Sequence, residues 1–123
     1  MIDDVFCKIV AGEIKSDFIY RDDEFIVIKD INPQAPIHLL IIPVKHFTSL
    51  DDFVEGDHDG LPAGKAGLLG RALVVANKIA HQIGIAEKGY RLILNEGEDG
   101  GKLVPHLHIH LLGGKKLGSK IVK

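Results

Sequence analysis

The feature that most restricts how this chain can fold is a short run, residues 105–114, in which histidine alternates with aliphatic residues. Its three histidines stand at strict two-residue spacing: His106, His108 and His110. Successive side chains of a β-strand point to opposite faces, so this spacing predicts a half-buried strand. One face would place aliphatic side chains in a core: Leu107, Ile109 and Leu111. The other face would carry three imidazoles, which packing alone does not explain.

The composition is that of one ordinary globular domain. The chain has 123 residues, 46% hydrophobic and 26% charged, with a formal net charge of −2. This length favours a single domain, residues 1–123, that ends in a basic tail, residues 115–123. The chain shows no basic stripe and no long apolar run, so we expect neither nucleic acid nor a membrane as a partner. The lone Cys7 excludes an internal disulfide and, with an N-terminus unlike a secretory signal, favours the cytoplasm.

Strand patterns predict an α+β fold with a mostly antiparallel five-stranded sheet, one long helix and one or two short helices. The predicted strands are residues 18–20, 25–29, 37–43, 90–95 and the histidine run. Short links at residues 21–24 and 96–104 favour antiparallel pairing. We expect the helices to cover one side of this sheet.

Two short helices are predicted from capping residues and spacing. The first covers residues 3–10, where Asp3 or Asp4 is the expected cap. The second is a helical turn over residues 48–53, with Thr48 as its expected cap.

The long helix is predicted from a 3.6-residue period over residues 65–83, after a glycine-rich acidic loop at residues 55–64. One stripe of this helix is apolar: Leu69, Ala72, Leu73, Ala76, Ile79, Ala80 and Ile83. Gly84 is the natural end of the helix.

Three interpretations of the histidine face remain open from the residues themselves. It is a solvated face without a role, a metal site, or a nucleophilic histidine with neighbours that act as acid and charge stabiliser. His38 lies inside the apolar run 37–43, and a fourth histidine in such a place argues against the first interpretation. No nearby thiolate or carboxylate completes an obvious metal set.

A glycine-rich turn directly before the histidine run favours a phosphate ligand. Gly97, Gly100 and Gly101 let backbone N–H groups approach an anion closely. Such a cradle beside imidazoles suits a phosphate better than a metal ion alone. A plain β-turn is the alternative.

The histidine run resembles the motif of the histidine triad (HIT) family, and Gly113-Gly114 resembles its Hint-like branch. The dinucleoside polyphosphate hydrolase branch usually has Pro-Arg at that place. The resemblance extends over residues 3–114 and includes four further segments in the same order. These segments are residues 5–9, 30–38, 42–46 and 95–101.

The resemblance implies a role for each histidine of the cluster. His108 would attack the α-phosphorus of a nucleotide and carry a transient nucleotidyl group. His110 would sit by the phosphate and the leaving group, where a protonated imidazole stabilises charge or donates a proton. His38 and His106 would complete the polar cluster.

The resemblance also implies substrate-binding residues. Asn95, Gly101 and the backbone amide of Leu103 would hold the phosphate or the leaving group, and Asp30 would accept hydrogen bonds from the ribose. An apolar slot for the purine would be formed by Val5, Phe6, Ile9, Ile28 and Ile31. From the sequence alone, these five residues are equally well explained as core.

The implied function is hydrolysis of purine nucleoside 5′-phosphoramidates through a nucleotidyl-histidine intermediate. The expected ligand is a purine nucleotide such as AMP or GMP. Two alternatives are a nucleotide-binding regulatory module with little turnover and a dinucleoside polyphosphate hydrolase. A metal-dependent hydrolase is a further alternative. The resemblance further implies a homodimer, with the long helix and the strand at residues 90–95 at the interface.

Two departures from the family pattern stand out. Family members commonly have Ser, Thr or Glu where this chain has Leu103, so one side-chain contact to the phosphate or leaving group is missing. Some members bind structural zinc through Cys-x-x-Cys and two histidines. Here Asp4 replaces the first cysteine before Cys7, although His46 and His106 match the histidine positions. A carboxylate is a poor substitute for a thiolate, so we expect no metal ligand set and no required cofactor.

Overall fold

The computed structural model describes residues 4–53, 63–119 and 121. Asp3 and most of the predicted loop at 55–64 therefore lie outside the described residues. Eight elements follow one another along the chain: α1 (Val5–Val10), β1 (Phe18–Arg21), β2 (Phe25–Lys29), β3 (Ile37–Pro43), a 3-10 helix (Leu50–Phe53), α2 (Ala63–Gln82), β4 (Arg91–Ile93) and β5 (Ile109–Gly113). None of the described helices is long and apolar enough to cross a membrane.

The five strands form one sheet in the order β1-β2-β3-β5-β4, and each neighbouring pair is antiparallel. This confirms the predicted fold class. The central strands β2 and β3 are runs of β-branched and aliphatic residues, and nearly all of their residues are buried. Such strands are expected where both faces of a sheet are covered.

The two helices pack on opposite faces of the sheet, so the expectation that helices cover one side is wrong. On one face, α2 packs against a core that includes Val27 and Ile41. On the other face, α1 contributes Phe6 and Ile9 to a cluster that includes Leu40. Alternate side chains of a strand point to opposite faces. The apolar pattern of β3 therefore requires a cover on each side, and the short helix supplies the second one.

The structure identifies the caps of both short helices. The carboxylate of Asp4 accepts a hydrogen bond from the Cys7 amide at 2.8 Å, which confirms Asp4 as the N-cap of α1. The predicted Thr48 cap of the second helix is wrong. The Ser49 hydroxyl accepts the Asp51 amide at 3.1 Å, while the backbone of Thr48 donates to the Asp52 carboxylate at 2.7 Å.

The buried face of α2 is rotated relative to the predicted stripe. Its buried residues are Ala72, Val75, Ala76, Ile79 and Ala80. Leu73 of that stripe is 52% exposed, and Val75 is buried in its place. Alanine at every fourth position leaves the larger side chains Val75 and Ile79 to fill the space above the sheet.

The histidine run enters the sheet later than predicted, because β5 begins only at Ile109. The Leu107 amide donates to the Phe47 carbonyl at 2.6 Å, and its side chain packs with Phe47 and Phe53. His106 and His108 therefore lie in the irregular segment directly before β5. They do not lie in the sheet itself.

Candidate active site

Strand pairing brings His38 and His110 together with Asp30. His38 on β3 pairs with Leu112 and His110 on β5 pairs with Leu40, so the two histidines are two rows apart and share the face that α1 covers. The Nε2 atom of His38 lies 2.9 Å from Nδ1 of His110 and 3.3 Å from Oδ2 of Asp30. That carboxylate oxygen lies 4.0 Å from His110 Nδ1. Three of the predicted site residues therefore form one polar cluster.

The backbone amide of Gln34 decides which nitrogen of His38 carries the hydrogen. It donates to Nδ1 of His38 at 3.0 Å, so this atom presents a lone pair. The hydrogen of neutral His38 then sits on Nε2 and points at His110 Nδ1 and Asp30. His110 in turn accepts at Nδ1 and carries its own hydrogen on Nε2. Sequence inspection missed Gln34, because the donor is a backbone group that any residue except proline supplies.

This arrangement also argues against a metal at Asp30, His38 and His110, although their donor atoms lie within 4.8 Å of one another. A metal needs a lone pair on each ligand. The Nε2 atom of His38 instead carries a hydrogen. The three side chains are therefore better described as a hydrogen-bonded chain.

His108 is held in the tautomer that a nucleophile needs. Its Nδ1–H donates to the carbonyl oxygen of His106 at 2.7 Å, which leaves a lone pair on Nε2. The side chain is buried, and its ring packs at an angle between Phe6, at 5.1 Å, and His110, at 5.0 Å between centroids. The imidazole can therefore rotate little, and its free nitrogen has a fixed direction.

Burial favours the neutral form of His108 and His110 by lowering the pKa of each. It lowers the pKa of His108, with a further lowering by the charge of Lys102, against the hydrogen bond to the His106 carbonyl. Burial and the neighbouring His108 and His38 lower the pKa of His110 to about 4. His110 is then neutral at pH 7 without ligand. It can act as an acid at this pH only if a nearby negative charge raises its pKa.

The glycine turn between β4 and β5 requires its glycines. Gly101 has φ +81°, a left-handed conformation that residues with a side chain rarely adopt. A Cβ atom at Gly100 would lie 2.1 Å from the carbonyl oxygen of Glu96. The Asn95 side chain donates to the Gly100 carbonyl at 2.6 Å, so it braces the turn from within.

A second polar cluster lies beside His108 and contains Asp4, Cys7, His46 and His106. The Nε2 atom of the fully buried His106 lies 3.0 Å from the Pro43 carbonyl, to which it donates. Its Nδ1 atom faces the Asp4 carboxylate at 3.2 Å and the Cys7 sulfur at 3.5 Å. His46 Nδ1 lies 3.2 Å from Asp4 Oδ2. His106 thus positions His108 through its backbone carbonyl, while its ring belongs to this second cluster.

The second cluster fits two descriptions. Its four donor atoms lie within 4.8 Å of one another, and the Pro43 carbonyl orients His106 as second-layer partners of zinc ligands do. A zinc ion held there would tie α1 to the neighbouring loops. The same groups also form a closed hydrogen-bond network without a metal, because the thiol of Cys7 and the ring of His46 can supply the hydrogens. The expected absence of zinc stays a prediction.

Burial of Asp4 alone would raise its pKa. The Cys7 amide and the nearby His106 and His46 outweigh this effect and hold the pKa of Asp4 below its usual value. Burial lowers the pKa of His106, against the opposing effects of the Pro43 carbonyl and Asp4. Asp4 is therefore ionised at neutral pH.

The residues predicted to form the purine slot separate into two groups. Phe6, Ile9 and Ile28 are buried in the core cluster under α1, as the alternative interpretation had it. Val5 is 41% exposed and Ile31 is fully exposed. Val5 and Ile31 are therefore open to a ligand. The three buried residues instead belong to the core on the histidine face of the sheet.

Leu103 is also open to a ligand, with an exposed fraction of 92%. It follows the glycine turn directly and leaves an apolar side chain in solvent.

Comparisons with known proteins cover most of the chain. A HIT domain family model matches residues 11–117. The chain is 48% identical over 114 residues to a protein of Escherichia coli K12 named purine nucleoside phosphoramidase, covering 93% of this chain and 89% of that protein. It is 49% identical over 115 residues to an uncharacterised HIT-like protein of Chlamydia trachomatis, covering 94% and 96%.

Solved structures show the same fold. A HIT family hydrolase from Clostridium thermocellum superimposes with a TM-score of 0.85 at 46% identity, covering 99% of both chains. A histidine triad protein from Clostridium difficile gives a TM-score of 0.85 at 42% identity, covering 98% of this chain and 97% of that one. The resemblance visible in the sequence is thus confirmed: the chain belongs to the HIT domain family.

Proposed function

We propose that this protein hydrolyses purine nucleoside 5′-phosphoramidates through a covalent nucleotidyl-histidine at His108. The observation that carries the proposal is the 2.7 Å hydrogen bond from His108 Nδ1 to the His106 carbonyl, which leaves Nε2 as a directed lone pair. A neutral, buried imidazole of this kind is a nucleophile ready for phosphorus. The name of the Escherichia coli relative supports the substrate class.

The reaction has two steps. In the first, His108 Nε2 forms a bond to the α-phosphorus and the P–N bond breaks. The amine leaves with a proton from Nε2 of His110, whose pKa rises when the phosphate is bound. The proton that His110 has gained then lies on Nδ1, and this N–H and the Nε2–H of His38 both face Oδ2 of Asp30. In the second step water attacks the phosphorus, the bond to His108 breaks, and a nucleoside monophosphate leaves. His110 accepts the proton of the attacking water.

The chain of hydrogen bonds from Gln34 through His38 prepares His110 for the first step. Because His38 donates to Nδ1 of His110, the hydrogen of His110 is on Nε2. We propose that this atom faces the leaving amine.

The remaining contacts to substrate follow the family pattern. One carboxylate oxygen of Asp30 accepts a hydrogen bond from the Asn32 amide at 2.8 Å, and the other oxygen lies near His38. We propose that Asp30 binds the ribose. Asn95, Gly101 and the Leu103 amide are proposed to bind the phosphate or the leaving group. The base, as in AMP or GMP, is proposed to lie beside Val5 and Ile31 over a floor of buried residues: Phe6, Ile9 and Ile28.

No metal takes part in this scheme, and we propose that none is required. Histidines and the glycine turn supply the nucleophile, the acid and the backbone donors. Activity that survives exhaustive chelation is the expected result, and loss of activity restored by one divalent metal would overturn this part.

Steady-state hydrolysis of an adenosine 5′-phosphoramidate tests the central proposal. We expect the wild type to turn over, and His108→Ala to lose at least a thousandfold in kcat because a covalent route is removed. His81→Ala, which removes an exposed histidine from α2, is the matched control. Equal rates for the wild type and His108→Ala would refute the proposal. Tight AMP binding without turnover would favour a regulatory module, and preferential cleavage of a dinucleoside polyphosphate would favour that hydrolase branch.

We further propose a homodimer that works in the cytoplasm. Its support is a pair of exposed apolar side chains on α2, Leu73 and Val74, and separately the part-exposed Ile93 on the edge strand β4. Side chains of this size are seldom left in solvent as a group unless a partner covers them. The lone cysteine supports a reducing compartment.

A further inference from the structure

The carbonyl that fixes the tautomer of His108 belongs to a peptide group that is held from its other side as well. The His106 carbonyl oxygen lies 2.7 Å from Nδ1 of His108 and accepts its hydrogen. The N–H of the same peptide group, which belongs to Leu107, donates to the Phe47 carbonyl at 2.6 Å. The carbonyl and the N–H of a trans peptide group point in opposite directions. The contact to Phe47 therefore holds the plane of this peptide group and with it the direction of the His106 carbonyl.

A second peptide group continues this arrangement away from His108. The Phe47 carbonyl shares its peptide group with the N–H of Thr48, which donates to Oδ2 of Asp52 at 2.7 Å. We call these two peptide groups, His106–Leu107 and Phe47–Thr48, the peptide bridge. A carboxylate and an imidazole are thus joined by three successive hydrogen bonds through the peptide bridge.

Apolar packing shields the peptide bridge from water. The buried side chains of Phe47, Phe53 and Leu107 form one cluster, and the centroids of the two phenyl rings lie 4.6 Å apart. Each of the three hydrogen bonds has its acceptor on the side towards Asp52. Hydrogen bonds aligned in one direction polarise one another, and a bond to a carboxylate is stronger than one to a neutral acceptor. The Asp52 carboxylate therefore strengthens the whole series.

Resting on the proposed function, we propose that Asp52 is a positioning residue for the nucleophile. Its carboxylate holds the peptide bridge in the orientation that keeps the hydrogen of His108 on Nδ1. Asp52 touches neither the substrate nor His108 in this scheme, and it acts only through the two peptide groups. Without it the His106 carbonyl is held less firmly, and the hydrogen of His108 can move to Nε2. That nitrogen then has no lone pair with which to attack phosphorus.

The alternative is that Asp52 only stabilises the 3-10 helix. A side chain three residues after a helix cap often accepts the amide of the capping residue, and Ser49 stands at that place. The Asp52 carboxylate lies 3.4 Å from the Ser49 amide but only 2.7 Å from the Thr48 amide. The shorter contact is thus the one to the peptide bridge. A helix cap affects stability alone, whereas a positioning residue also affects the tautomer of His108.

NMR of the His108 ring, with ¹⁵N and ¹H detection, tests the proposal without turnover. We expect the wild type to show one tautomer, with its hydrogen on Nδ1. Asp52→Ala removes the acceptor of the Thr48 amide and should give His108 a mixture of tautomers. Its kcat for an adenosine 5′-phosphoramidate should fall about fivefold, as for the net loss of one hydrogen bond, with KM changed less than twofold. Asp52→Asn keeps an oxygen acceptor without the charge, so it should retain the tautomer while the Nδ1–H proton signal moves upfield.

Two variants of the same helix are matched controls. Ser49→Ala removes the hydroxyl that accepts the Asp51 amide at 3.1 Å, so it weakens the 3-10 helix and leaves the peptide bridge intact. Asp51→Asn removes the charge of an exposed carboxylate next to Asp52. We expect a lower melting temperature for Ser49→Ala, and the wild-type tautomer of His108 and the wild-type kcat for both controls.

A wild-type His108 spectrum in folded Asp52→Ala would overturn the proposal. The same mixture of tautomers in Ser49→Ala would also overturn it, because a loosened helix would then explain the effect. Thermal melting checks that the variants fold. If Asp52→Ala does not fold, Asp52→Asn replaces it, and an unchanged Nδ1–H signal in that variant rejects the proposal.

The spectra separate this proposal from the proposed function. If the tautomer of His108 changes as expected while the wild type cleaves no phosphoramidate, only the proposed function fails. If the wild type cleaves and Asp52→Ala keeps the tautomer of His108, only the role of Asp52 fails.

Discussion

The Nε2 atom of His38 lies 2.9 Å from the Nδ1 atom of His110, and this contact assigns a hydrogen to each of the two rings. The assignment begins at the Gln34 amide, which occupies the other nitrogen of His38. A loop residue with no chemistry of its own thus determines how the proposed acid faces its substrate.

Removing the Gln34 amide should disturb His110 without touching it. In Gln34→Pro the donor to His38 Nδ1 is lost, so His38 can carry its hydrogen on either nitrogen and His110 is no longer fixed. We expect kcat to fall about tenfold, and ¹⁵N NMR of the histidine rings to show mixed tautomers. Gln34→Ala keeps the amide and should match the wild type. A pure Nε2–H signal for His38 in the proline variant would contradict this prediction.

Stability should rise with pH between about pH 4 and pH 6.5. The pKa of His110 is lowered from 6.5 to about 4, so in this window the unfolded chain binds the proton and the folded chain does not. Full stability is present above pH 6.5 and declines on acidification. The loss is on the order of 3 kcal/mol from His110 alone, at 1.36 kcal/mol for each pKa unit. The lowered pKa values of His106 and His108 act in the same direction.

Urea unfolding at several pH values measures this slope. His110→Asn should flatten it, and His81→Asn controls for loss of an exposed imidazole. Stability that stays constant from pH 7 to pH 4.5 would contradict the prediction.

Alanine should destabilise the protein at two positions of the glycine turn, Gly100 and Gly101. Gly101→Ala forces a left-handed conformation and should lower the free energy of unfolding by about 1–2 kcal/mol. Gly100→Ala should cost more, because its Cβ would lie 2.1 Å from the Glu96 carbonyl oxygen. Gly12→Ala is the matched control, since Gly12 has φ +83° with no atom within 4 Å of an added Cβ. Gly12→Ala should lower the free energy of unfolding by about as much as Gly101→Ala does, but it should leave kcat unchanged. A Gly100 or Gly101 variant that keeps the wild-type kcat would show that the turn is not needed for catalysis.

Zinc content distinguishes the two descriptions of the cluster of Asp4, Cys7, His46 and His106. We expect the purified wild type to contain no stoichiometric zinc and its melting temperature to be unaffected by a chelator, because Asp4 replaces a thiolate. Asp4→Cys completes a Cys-Cys-His-His set and should bind one zinc ion, with a melting temperature that then depends on the chelator. Emission spectroscopy measures the metal. One zinc per wild-type chain would show that the carboxylate suffices.

A charge on the exposed face of α2 should dissociate the proposed dimer. Leu73→Asp and Val74→Asp place a carboxylate on side chains that are 52% and 66% exposed, so the isolated chain should keep its fold. We expect sedimentation at micromolar concentration to change from dimer mass to monomer mass, while Gln82→Asp at the end of α2 stays dimeric. A wild type that sediments as a monomer would refute the dimer itself.

The sequence determined most of the secondary structure, because its signals are local. The apolar runs of β2 and β3 and the aspartate before α1 each define an element through neighbouring residues alone. The alternation of histidine with aliphatic residues also indicated the site, since one strand face with several imidazoles has few structural explanations.

Only the tertiary structure decided how these residues work together. The hydrogen on His38 depends on the Gln34 amide, and the ring of His106 turned out to face Asp4 and Cys7, far along the chain. The ammonium of Lys102 meets the carbonyl of Thr48 from a distant segment of the chain. Tautomers, burial and charge all arise from groups that meet only after the chain has folded. A pattern of spacing identifies a histidine as a candidate, whereas the three-dimensional contacts decide which of its nitrogens is free to react.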